Sequence, residues 1–130
     1  MFHHAKIFLA LGALGAALAV ALGAAGAHGL KPQLAANDPG GLFALALQYH
    51  QFHALGLLLL GLVAWRFPAS RWFAAAGWLM LSGLLLFSGN LYLRSLLGYN
   101  ALHALTPIGG TAFIFAWLLC AVGAARLPSP

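Results

Sequence analysis

The chain has 130 residues, 63% of them hydrophobic and 5% charged, with six Lys or Arg against one acidic residue. A soluble domain carries charge on roughly a quarter of its residues, so most of this surface must face lipid rather than water. The net charge of +5 is scattered rather than clustered, which excludes a nucleic-acid face and suits anchoring to anionic lipid headgroups.

Four apolar stretches reach the ~20 residues that a helical crossing needs, near 7–27, 44–64, 72–93 and 107–125. Unpaired backbone is forbidden in lipid, so each should be helical. The expectation is an all-α integral membrane protein, one domain over 1–130 forming a four-transmembrane-helix bundle. On the first span, Gly12, Gly15, Ala16, Ala19, Gly23, Gly26 and Ala27 fall within about 120° of arc. Leu11, Leu14, Leu18 and Leu22 occupy another face. A stripe of small residues admits a close neighbour where lipid removes the hydrophobic drive. Gly12, Gly15, Ala19 and Gly23 are therefore the expected packing positions, against a helix of this chain or of a second copy. Lys6, the apolar run and Ala25-Gly26-Ala27 imitate a secretory signal with its cleavage site; the segment is expected to remain as a true span.

His28 ends the first span, and Lys31 with Asn37-Asp38-Pro39-Gly40-Gly41 forms the loop. Asp38-Pro39 is expected to start the second helix, whose early turns carry Gln48, Tyr49, His50, Gln51 and His53. Arg66, Pro68 and Arg71 separate it from the third, which closes on Ser88, Asn90, Tyr92 and Arg94. His103 precedes the fourth, and Thr106-Pro107 reads as a hydroxyl cap followed by a first-turn proline. Cys120, the lone cysteine, lies in an apolar run and has no disulfide partner. Tyr49–Leu55 echoes Tyr99–Leu105, and Ala-Trp closes both following runs, thin support for an internal duplication. With four spans, Lys6, Arg66, Arg71 and Arg126 share one side against Lys31 and Arg94 on the other, which places both termini in the cytoplasm.

In this topology the polar residues gather toward the outer face, with no ionisable group expected near the midplane. His28, Gln48, Tyr49, His53 and Asn90 are expected to form one connected cluster, with Ser88, Tyr92, Arg94 and Thr106 close by. Three readings compete: interhelical hydrogen bonds with Arg94 snorkelling to headgroups, a small ligand or ion site open outward, or metal or haem ligation by His28 and His53 with His50 or His103. Asp38 is the single carboxylate, so no acid–base pair exists and no enzyme is expected. A closed metal site takes about four donors; His50 points about a sixth of a turn from His53. Neither a metal nor another cofactor is expected.

Gly23-Ala24-Ala25-Gly26-Ala27-His28-Gly29-Leu30, Gln48-Tyr49 with His53-Ala54, Phe87-Ser88-Gly89 before Leu91-Tyr92, and Thr106-Pro107-Ile108-Gly109-Gly110 together resemble the bacterial membrane family called domain of unknown function 423. Animal transmembrane protein 256 is similar. The resemblance covers nearly the whole chain and implies a four-span protein of the bacterial inner membrane; it implies no reaction. It matches at His28, Gln48, Tyr49, His53, Ser88, Tyr92, Thr106 and Pro107. It does not extend to His50, His103 or Arg94, and Asn90 stands where the family carries serine. The function expected is a structural or accessory module that self-associates or packs against a larger membrane complex. The alternative is a transporter or channel-like protein with an outward polar pocket.

Overall fold

A computed structural model describes residues 3–128. Its helices are α1 (His3–Ala27), α2 (Lys31–Asn37), α3 (Leu42–Arg66), α4 (Arg71–Leu97) and α5 (Leu105–Ala125). All but α2 are long and apolar enough to cross a membrane. Each starts and ends within a few residues of its expected position, because the Pro, Gly and charged residues between the apolar runs stop them. The short α2 lies where the sequence leads to the expectation of a loop. Pro32 in its first turn supplies a helical φ where no amide donor is required.

The spans form two tight pairs, α1 on α3 and α4 on α5, joined chiefly through α3 and α4. Gly12 sets the first pair: a Cβ there would stand 2.6 Å from the Leu58 amide nitrogen. Gly61 answers from α3, where a Cβ would stand 2.7 Å from the Leu9 nitrogen. Gly15 faces the Ala54 methyl, and Ala19 is wholly buried. Gly23 has only an ordinary contact with Leu47. The stripe thus faces a helix of the same chain, and its closest approach to that helix's backbone lies at Gly12, toward the N-terminal end, while Gly26 meets the Phe43 ring. Leu14 and Leu18 point outward.

The second pair closes at Gly109, where a Cβ would come within 2.5 Å of the Phe87 nitrogen. Opposite it, α4 widens into a π-helical segment, Leu84–Gly89. The apolar core of Phe8, Leu57, Leu60, Phe73, Met80 and Phe113 sits toward the end carrying Arg66 and Arg71. Buried polar side chains occupy the other half and the middle. The two halves of the sequence echo have different settings: Tyr49–Leu55 lies inside α3, whereas residues 99–104 form the exposed connection before α5.

Asp38 starts α3 as expected, though not as the adjacent cap. Its two carboxylate oxygens accept hydrogen bonds from the amides of Leu42 (2.7 Å) and Phe43 (2.9 Å), two of the helix's unpartnered donors. Thr106 does not cap α5, which begins at Leu105; its hydroxyl is engaged by Asn90 instead.

Candidate functional site

The expected single cluster separates into pairs that each tie two helices together. His28 stands outside all of them: it is exposed in the turn after α1, and among the described residues its side chain makes no hydrogen bond. The helix ends just before it, so it lies beyond the interhelical space. Gln48 is also exposed and without a side-chain partner among the described residues.

His53 carries the most complete arrangement. Its Nδ1–H donates to the Tyr49 carbonyl oxygen at 2.8 Å, the acceptor one turn back that α3 presents. Its Nε2 accepts from the Trp117 indole N–H at 3.2 Å. A carbonyl oxygen only accepts and an indole only donates. The ring is therefore the neutral Nδ1–H tautomer, with both nitrogens engaged. Phe113 stacks on it with centroids 3.6 Å apart, and Tyr49 stacks at 5.7 Å. His53 is 4% exposed and adjoins Ala54, the middle residue of α3. An ionisable group therefore does lie near the middle of the span, contrary to the expectation from the sequence.

His50 is buried against α4, where its Nδ1 shares a 2.8 Å hydrogen bond with the Tyr92 hydroxyl. The family pattern had set this histidine aside, yet it joins α3 to α4 as His53 joins α3 to α5. His50 and His53 are three residues apart on α3, and their long side chains diverge to opposite neighbours. Ser88 donates to the Ala46 carbonyl at 3.0 Å, a second tie from α4 to α3.

Asn90 does not meet the histidines. Its amide nitrogen donates to the Leu102 carbonyl at 2.8 Å and to the Thr106 hydroxyl at 2.7 Å, fastening α4 to the start of α5. Among the described residues its Oδ1 is buried without a partner. Arg94 turns away from Asn90 and donates to the Asn100 side chain at 3.1 Å, on the exposed connection where His103 also bonds the Asn100 backbone. Trp117 is the participant that the sequence reading missed. It lay in an apolar run where a tryptophan reads as core or lipid contact, and its only signal was its register with His53.

Two recesses adjoin these pairs. One of about 250 Å³ is lined by Gln48, Tyr49, Phe52 and His53. The other, about 330 Å³, runs between α1 and α4 past His50, Ser88 and Tyr92 and is otherwise lined by leucine and glycine. Among the described residues no three His, Cys, Asp or Glu side chains gather to hold a metal ion.

The profile of the family described as Protein of unknown function (DUF423) matches residues 22–110. The UPF0382 membrane protein YwdK of Bacillus subtilis is 42% identical over 121 residues, covering 93% of this chain and 98% of the relative. A UPF0382 membrane protein of Staphylococcus saprophyticus is 39% identical over 123 residues, 94% and 99% of the two chains. No solved structure matches.

Proposed function

This chain belongs to the DUF423 family of membrane proteins, and from that premise we propose that it is a structural or accessory module of the bacterial inner membrane, both termini cytoplasmic, that self-associates or packs against a larger complex. The observation that carries this reading is the use made of the buried polar groups. His50, His53, Ser88 and Asn90 each bond within the chain across or along a helix, and both nitrogens of the mid-span histidine are engaged. Such groups act as interhelical fasteners, whereas a transport path presents polar groups to a water-filled space. The outward faces of α1 and α5 are apolar, with Leu14, Leu18, Ile114 and Leu118 all exposed. They supply the surface on which a second copy or another membrane helix would pack.

The recess beside Gln48, Tyr49 and His53 favours the second reading, a transporter or channel-like unit. A photo-crosslinking amino acid at Leu14, Leu18, Ile114 or Leu118, activated in intact membranes, separates the two. The accessory role requires a discrete adduct with a second copy or one membrane protein. Absence of adducts, together with solute or ion flux in proteoliposomes that His53→Ala abolishes, establishes the transporter instead.

A further inference from the structure

Three arginines from separate stretches of the chain meet at one end of the bundle. Arg66 closes α3, Arg71 opens α4, and Arg126 follows α5. Together with Phe67, Ser70 and Trp72 they line a recess of about 620 Å³. Trp72 organises two of them: the guanidinium carbons of Arg71 and Arg126 lie 5.2 and 4.8 Å from the centre of its ring. Arg66 lies 4.9 Å from the centre of the Phe67 ring. Stacking on an aromatic face fixes the planar fork of each head and leaves its N–H edge free for an acceptor.

Among the described residues these charges have no acidic side chain near them. The one acidic residue, Asp38, precedes the far end of α3, a helix about 37 Å long, and its oxygens are bonded to the amides of Leu42 and Phe43. Holding like charges on one indole is unfavourable without a counterion. The recess also lies at the ends of three spans, the level at which tryptophan and arginine meet headgroups. We propose that it is a binding site for the headgroup phosphate of an anionic phospholipid, held by forked contacts from Arg71 and Arg126 with Arg66 as the third charge. Planar guanidinium forks match phosphate oxygens in geometry as well as charge. An occupied site joins the ends of α3, α4 and α5 and so strengthens the junction between the two helix pairs. This goes beyond the accessory reading and stands whether or not that reading holds.

Native mass spectrometry of the full chain in matched phosphatidylglycerol and phosphatidylcholine, with identical acyl chains, tests the site. The expected result is preferential retention of phosphatidylglycerol by the wild type. The preference falls about fivefold for each arginine replaced, partly in R126Q and wholly in R66Q/R71Q/R126Q. The K31Q/R94Q variant, altered at the opposite end, keeps it. Inorganic phosphate at the same concentration leaves the lipid in place. Equal retention of the two lipids, an unchanged preference in R126Q, the same loss in K31Q/R94Q, or displacement by inorganic phosphate would each overturn the proposal.

Discussion

Replacing Gly12 by alanine adds one methyl group where α1 comes closest to the backbone of α3. That carbon would stand 2.6 Å from the Leu58 amide nitrogen and 2.8 Å from its Cα. Ordinary contact begins at 3.4 Å, so the shortfall is about 0.8 Å, a gap that costs a close-packed interface much of its dispersion energy if the helices separate. The obstruction is backbone, so no side-chain rotation relieves it. Overpacking of this kind costs about 1–3 kcal/mol, against which alanine returns about 1 kcal/mol of helix propensity over glycine. The net expectation is a loss of up to about 2 kcal/mol, and Gly61→Ala should resemble it. Gly23→Ala is the internal control: its methyl would meet Leu47 Cδ2 at 3.5 Å, so the propensity gain stands without a clash. Equilibrium unfolding in mixed detergent should rank Gly23→Ala at or above wild type and Gly12→Ala below it. The double variant Gly12→Ala/Gly61→Ala should lose less than the sum, since both act on one separation. A Gly12→Ala protein as stable as Gly23→Ala would refute the assignment of the closest contact.

The His50–Tyr92 bond should show a coupling of about 0.6 kcal/mol, and no more than about 1.7, in a double-mutant cycle with His50→Phe and Tyr92→Phe; zero coupling would mean that the two rings are merely neighbours. Trp117→Phe leaves His53 Nε2 buried without its donor and should destabilise by about 1 kcal/mol. His28→Ala, which removes an exposed side chain with no hydrogen bond among the described residues, should fall within about 0.5 kcal/mol of wild type; the reverse ranking in thermal unfolding would argue for the single cluster. Protein purified without a histidine tag should lack a Soret band and stoichiometric copper, iron or zinc. Near-unit occupancy lost on His53→Ala would show that this histidine exchanges its two hydrogen bonds for a ligand.

The four spans were legible because lipid permits little else: an apolar run of sufficient length has no option but a helix. The face of α1 that packs was legible from its glycines, but the depth of closest approach was not. That depth depends on Gly61 of α3 lying opposite, which no pattern within α1 contains. The polar residues were found almost completely, and their grouping was not. The sequence sets His28 and His53 at one depth, whereas His28 lies in the turn beyond α1 and His53 at the middle of α3. Long rings separate His50 from His53 even though helical arithmetic puts them nearly on one face, and Trp117 gains its meaning only once α5 lies beside α3. Carrying over the resemblance favoured His28 and discounted His50, whereas the fold buries His50 and leaves His28 exposed.

The π-helical segment of α4 carries a consequence for insertions and deletions. A π turn accommodates one residue more than an α turn over a comparable rise, and it amounts to a single insertion absorbed without breaking the span. Deleting one of the residues in Leu84–Gly89 would restore α geometry there and leave the residues beyond it facing as they do now. Tyr92 would still meet His50, and Asn90 would still meet Thr106, whereas a deletion in α4 that left this segment π-helical would turn both about 100° away. The segment is thus a place in the span where one residue can be lost without turning the partners beyond it.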